Sequence, residues 1–172
     1  MLIDIIVSRW HHESMPRPRR ASAGSAFTAA VLDLFRLSNQ LLAVGDRLVA
    51  GLGLTSARWQ VLGTIVSAGR PQPVAWLARA MSGNRQNVQR IVNDLKREGL
   101  VEFRPNPHHR RAQLVALTAA GQKAFDAAMR LQEPWMETLT EGLRVADIET
   151  THQVIAAVRK KLESPSESDD EG

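Results

Sequence analysis

Residues 84–99, NRQNVQRIVNDLKREG, constrain this chain more than any other stretch, because they specify a helix and also the side it presents to solvent. Asn84 is a good N-cap, since its short side chain can accept hydrogen bonds from the free N–H groups of the first turn. Val88, Ile91, Val92 and Leu95 stand at i, i+3, i+4 and i+7 and form one narrow apolar stripe. At about 100° per residue, Gln86, Arg90, Asn93 and Arg97 fall on the opposite side, with Arg85 and Gln89 flanking them. Gly99 then ends the helix. The seven positions Asn84–Arg90 hold six polar donors, one valine and no acid. A solvated helix face commonly mixes in Glu for i,i+4 pairing. This face does not, and so it suits a polyanion.

The flanking sequence gives the rest of the fold. Phe27, Val31, Leu34, Leu41 and Leu48 recur at helical spacing and predict a long first helix, ended by Gly51 and Gly53. Thr55 can cap a second helix with Trp59, Leu62 and Ile65 or Val66 on one face. After the turn Ala68-Gly69-Arg70-Pro71, a short helix carries Val74, Leu77, Ala78 and Met81, broken by Ser82-Gly83-Asn84. Beyond the 84–97 helix, Leu100–Arg104 and Gln113–Leu117 read as two strands, joined by a polar loop with two prolines and the run His108-His109-Arg110-Arg111. Thr118 caps another long helix, which Pro134 should kink or break. A last helix places Ile148, Thr151, Ile155, Val158 and Leu162 on one face.

The fold class is therefore mainly α with a small β-hairpin (α+β). A winged helix-turn-helix at 55–117 is inserted between N-terminal (24–54) and C-terminal (118–163) dimerisation helices, whose broad apolar faces call for a second copy. Residues 1–23, rich in Pro, Arg and small residues, are expected to be a flexible extension or a misassigned start upstream of Met15. The acidic 164–172 tail is expected to be disordered.

Charge is distributed in the same sense. The net charge is only +4, yet 55–117 holds 10 Lys and Arg against 3 Asp and Glu, leaving 12 against 15 elsewhere. A basic middle on a mildly acidic frame is the footprint of a polyanion-binding segment. The chain has no cysteine, which excludes disulfides, thiolate metal sites and cysteine nucleophiles. No apolar run is read as reaching the ~18 residues that span a bilayer, and the start does not read as a signal peptide. A cytoplasmic protein that needs no cofactor is expected.

On duplex DNA, Arg can pair with guanine and Gln or Asn with adenine in the major groove, and the first turns of the second motif helix enter it. Arg85, Gln86, Asn87, Gln89 and Arg90 occupy those turns. Arg110 and Arg111 near the hairpin tip suit a minor groove, and His109 adjoins them. The bland alternatives are a solvated helix and an exposed basic turn. No metal site is expected, because no acid lies near the two loop histidines.

From Leu54 to Gly121 the chain resembles the MarR family (multiple antibiotic resistance regulators). The resemblance is carried by Leu54-Thr55, Arg58-Trp59, Val61-Leu62 and Leu77-Ala78-Arg79. It continues through Asn84-Arg85-Gln86-Asn87-Val88, Arg90-Ile91-Val92, Leu95, Gly99-Leu100-Val101, Arg110-Arg111-Ala112, Leu114-Val115, Leu117-Thr118 and Gly121. It implies a homodimer on a pseudo-palindromic operator in double-stranded DNA, usually a repressor, released by a small lipophilic or phenolic effector bound between the winged domain and the dimerisation helices. By position, the base-contacting helix would supply Arg85, Gln86, Asn87, Gln89 and Arg90, and the wing Arg110 and Arg111. The family commonly places an aspartate just before the paired arginines; here His109 stands there, and Asn106 replaces an earlier one. A wing more positive than usual implies tighter, less selective binding. The thiol-sensing branch is excluded by the lack of cysteine. The urate-binding branch is disfavoured because 55–68 contains no acid.

The alternative is a winged-helix protein-interaction module without specific DNA binding. An enzyme is disfavoured: no nucleophile–base arrangement, phosphate loop or paired carboxylates stand out, so no catalytic residue is assigned. Phe35, Trp59 and Trp76 could line an effector cleft beside an orienting Arg, but large aromatics at helical spacing are more often core. Ligand residues are left unassigned.

Overall fold

A computed structural model describes residues 22–107, 109 and 111–163. The expectations for 1–21, His108, Arg110 and 164–172 lie outside the described residues. The elements run α1 (Ala23–Val49), a 3-10 turn (Ala50–Leu52), α2 (Ser56–Ser67), β1 (Gln72–Pro73), α3 (Val74–Ala80) and α4 (Arg85–Arg97). Then follow β2 (Val101–Arg104), β3 (Leu114–Leu117), α5 (Ala119–Thr140) and α6 (Val145–Glu163).

The helix ends fall where the capping residues stand. Thr55 Oγ1 accepts from Arg58 N, Asn84 Oδ1 from Gln86 N and Asn87 N, and Thr118 Oγ1 from Gly121 N. At the other end of α4, Gly99 takes φ +73°, a conformation that disfavours a side chain. Its N–H donates to Lys96 O and that of Leu100 to Leu95 O, so the last carbonyls are satisfied.

The stripe Val88, Ile91, Val92 and Leu95 is buried. It packs into one core with Val61, Leu62 and Ile65 of α2, Leu77 of α3, Val101 of β2 and Val115 of β3. That core fixes α4 by its inner face and leaves the outer face free.

Three features depart from the sequence reading. The wing is a three-stranded antiparallel sheet of order β1-β3-β2, with Gln72 opposite Val115 and Phe103 also opposite Val115 across the other edge. A two-residue strand containing Pro73 carries no period-2 signal; its proline is tolerated because β1 is an edge. Secondly, α5 is not broken at Pro134 but runs on to Thr140. A proline removes one N–H, and that single loss is absorbed late in a long helix, at an exposed position. Thirdly, Ala23–Leu52 is long and apolar enough by composition to cross a membrane, with a window of mean hydropathy 1.2. Leucines, valines and alanines along α1 raise that average, while Asp33, Arg36, Asp46 and Arg47 interrupt the run.

The junction of α1 and α2 is built around Ser56, which is buried. Its N–H donates to Asp46 Oδ1 at 2.6 Å and its Oγ to Leu42 O at 2.8 Å. Gly45 makes room, since a Cβ there would lie 2.5 Å from Ser56 Oγ.

Candidate nucleic-acid interface

The outer face of α4 emerges as the sequence predicts. Asn84, Arg85, Gln86, Asn87 and Arg90 are exposed, and Gln89 is half-buried. None of the residues of the first turn is acidic. The side chains are already organised: Arg90 Nη2 donates to Asn87 Oδ1 at 2.9 Å, and Gln89 Nε2 to Asn93 Oδ1 at 3.0 Å. Side chains locked to each other lose less rotamer freedom on meeting a rigid partner.

The helix and the wing meet. Arg85 and Gln89 of α4, Phe103 of β2 and Arg111 at the base of β3 line one mostly polar hollow of about 170 Å³, closed by Pro73 and Val74. Arg111 is thereby brought to the two residues of α4 that flank its outer face. His109 is exposed, and its loop is held by His109 N donating to Asn106 O and Ala112 N to His109 O. Arg110 lies outside the described residues.

The far end of α4 is anchored by contacts the sequence did not reveal. Lys96 Nζ sits 4.8 Å from the centroid of the Phe103 ring, a cation–π contact between α4 and β2. Glu98 pairs with Arg58 of α2, whose Nη1 also donates to Gly53 O at 2.7 Å. No periodicity signals either contact: Arg58 and Glu98 stand forty residues apart, Lys96 and Phe103 belong to a helix and to the strand after it, and the three charged residues look like ordinary surface charges.

A second feature lies on the opposite side of α2. A cleft of about 590 Å³ opens between α1, α2 and α5, lined by Trp59, Phe125, Met129, Trp135 and Met136 among others. Trp76 lines a smaller neighbouring cleft of about 450 Å³ against α2. Of the three aromatics considered from sequence, only Trp59 therefore faces the larger cleft; Phe35 is 64% exposed on α1 and lines neither. The orienting arginine has no counterpart among the described lining residues.

Comparison with known proteins agrees with this geometry. The family model described as MarR family matches residues 52–112. The HTH-type transcriptional repressor NicR of Pseudomonas putida is 31% identical over 115 residues, which cover 64% of this chain and 68% of that protein. The chain belongs to the MarR family. An uncharacterized protein of Mycobacterium tuberculosis is 40% identical over 97 residues, 56% of this chain; the match spans 66% of that relative's length. Among solved structures, a mutant MarR from E. coli complexed with operator DNA is 26% identical. It superposes with a TM-score of 0.64, covering 75% of this chain and 95% of that one. The family and the winged-helix fold implied by the sequence motifs are thus borne out.

Proposed function

We propose that this MarR-family chain is a homodimeric, sequence-specific regulator of transcription that acts in the cytoplasm as a repressor on a pseudo-palindromic operator. The observation that carries this reading is the acid-free outer face Asn84–Arg90, capped at its start, seated on a buried stripe and sharing a hollow with Arg111. Arg85, Gln86, Asn87, Gln89 and Arg90 would read base edges, while Arg111, with His109 and Arg110, would engage the neighbouring groove and phosphates. Support also comes from the operator-bound MarR neighbour and from the repressor named among the relatives.

Dimerisation is supported by the apolar residues that one chain leaves uncovered on its long helices: Leu34 and Leu37 on α1, Val154 and Ile155 on α6. A second copy would cover them and set two α4 helices about one DNA turn apart. The cleft between α1, α2 and α5 is where a small effector would act, because its walls join dimerisation helices to the helix that carries Arg58.

Selection of bound duplexes from random DNA tests the reading. Enriched inverted half-sites spaced by about one turn, 10–10.5 base pairs, are expected. Weak, strongly salt-dependent binding without an enriched sequence would instead identify a protein-interaction module.

A further inference from the structure

The winged domain meets α1 at a buried polar joint. Ser56, the first residue of α2, is 5% exposed. Its Oγ donates to Leu42 O at 2.8 Å, and its N–H donates to Asp46 Oδ1 at 2.6 Å. Leu42, Gly45 and Asp46 stand at i, i+3 and i+4 and so share one face of α1. The first turn of α2 has no acid of its own, and Asp46 supplies one from the other helix, where free N–H groups favour it. Gly45 lets the two helices close on each other, since a Cβ there would lie 2.5 Å from Ser56 Oγ. Apolar packing is non-directional, whereas two hydrogen bonds from one residue to one helix face fix an orientation as well as a distance.

We infer that Ser56 is a positioning residue for operator recognition: acting through Asp46 and Leu42, it sets the angle between α1 and the winged domain, and with it the half-site spacing that the dimer accepts. This rests on reading the chain as a dimer on paired half-sites, and it names what fixes their separation. Helix α4 shares a core with α2, so it turns with Ser56. The apolar residues Leu34 and Leu37, which a second copy would cover, stand on α1 beyond the joint. Small errors at the joint are magnified. An opening of about 1 Å between helices whose axes lie about 10 Å apart is a tilt of about 5°. From Gly45 back to Phe27, α1 extends about 27 Å, so that tilt displaces its far end by about 2 Å. Two copies give about 4–5 Å, against a rise of about 3.4 Å for each base pair. A change too small to disturb α4 or the wing is therefore enough to alter the accepted spacing by about one base pair.

The test reads spacing and geometry in the full chain. Duplexes carrying two selected half-sites about 9–13 base pairs apart, centre to centre, are ranked by affinity. The chain has no cysteine, so Arg97→Cys, at an exposed position near the end of α4, takes one spin label per copy. Pulsed electron paramagnetic resonance then reads the distance between copies without DNA. Gly45→Ala is expected to shift the preferred separation by about one base pair and to move the label distance with it. Adding Ser56→Ala removes the obstructing Oγ and leaves the two Cβ atoms 3.7 Å apart, an ordinary contact, so both readouts are expected to return towards the wild-type values. Asp46→Ala is expected to erase the preference among neighbouring separations, and Asp46→Asn, which keeps an acceptor, to preserve it. Asp46 is exposed, so this arm does not depend on the Gly45 variant folding. Affinity for a lone half-site is expected to stay unchanged throughout. A preferred separation and a label distance that both stay at the wild-type values in Gly45→Ala and Asp46→Ala overturn the inference. So does an equal loss on paired and single half-sites, which would make the joint a matter of stability alone. If every variant selects paired half-sites at one separation, the role of Ser56 falls and the reading as a dimeric regulator stands. If the labels move as expected while the unaltered chain selects no paired half-sites, that reading falls and the control of geometry by the joint stands.

Discussion

The guanidinium of Arg58, one turn into α2, is paired with the carboxylate of Glu98, the residue that closes the C-terminal end of α4. Its Nη1 also donates to the carbonyl of Gly53, where the 3-10 turn after α1 ends. One side chain, 16% exposed, therefore ties the end of α4 both to α2, which walls the larger cleft, and to the exit of α1.

Glu98→Gln should lower stability by about 1 kcal/mol, because Glu98 is half-exposed and solvent already weakens the pair. Arg58→Ala should cost more, about 2 kcal/mol, because it also leaves the Gly53 carbonyl without its donor. Urea unfolding checks both: a lowered midpoint with an unchanged slope is expected. If the two midpoints stay at the wild-type value, Arg58 does not tie these elements together.

How much of this was legible in the sequence depends on the range of the interaction. The helix α4 was, because its cap, its stripe and its terminating glycine lie within sixteen residues and each acts locally. The strands of the wing were, through the alternation in Val101 and Phe103. Strand β1 was not: two residues have no period, and Gln72 joins the sheet only because Val115 is already placed. The tie between Arg58 and Glu98 joins residues forty positions apart, and neither looks unusual in its own segment. The cleft is a property of three helices together. Of the three aromatics that the sequence allowed either in a cleft or in the core, Trp59 lines the larger cleft and Trp76 the smaller, while Phe35 is exposed on α1 and lines neither.

Gly121 allows the closest approach found at any described glycine. A Cβ there would lie 1.9 Å from the carbonyl oxygen of Leu100, a backbone atom that cannot move without displacing β2. Gly121→Ala should therefore destabilise the chain by about 3 kcal/mol or more. Gly63→Ala is the control, since its Cβ would lie 3.3 Å from one edge of the Phe125 ring, which can turn aside. Thermal melts followed by circular dichroism should rank the two in that order. A Gly121 variant that melts like the wild type would contradict the close approach of α5 to the Leu100 carbonyl.

The base reading and phosphate contact proposed for α4 can be tested separately. Gln89 is half-buried, bonded to Asn93 and close to Arg111 across the polar hollow, which suits a base edge more than a phosphate. Gln89→Ala should relax the selected sequence at one position of each half-site, worth about 1–3 kcal/mol of discrimination. Arg90→Ala removes a charge that Asn87 now orients, and should also reduce the salt dependence of binding by about one ion per subunit. Titrations at several salt concentrations distinguish these outcomes. Equal losses on specific and random DNA for Gln89→Ala would move that residue to the backbone-contacting set.

The wing offers the same kind of test. His109 is exposed, and its backbone is held at both N–H and carbonyl, so a substitution leaves the turn in place. His109→Asp puts a negative charge beside the paired arginines. Binding to random DNA should weaken by several-fold and bound-sequence selection should sharpen, since the added acid opposes phosphate generally and can orient one arginine. Unchanged affinity and unchanged salt slope would show that this position does not approach the DNA.

The apolar residues at the two ends of α6 decide the last question, whether one chain is the working unit. Val145 is 71% exposed and Leu162 82%, far more than a solvated helix needs, and the described part of the chain offers nothing to cover them. Burial against a second copy would gain about 25 cal/mol for each Å² of apolar surface removed from water. Paired Val145→Asp and Leu162→Asp changes place charges in that interface without touching the winged domain. Sedimentation should then report a monomer at concentrations where the unaltered chain is dimeric. Operator affinity should fall by about a hundredfold or more, because the second half-site no longer benefits from the first. Binding to a single half-site should be preserved, since α4 and the wing are built within one chain. Were the double variant still dimeric and still tight on the full operator, the contact between copies would have to be sought away from the ends of α6.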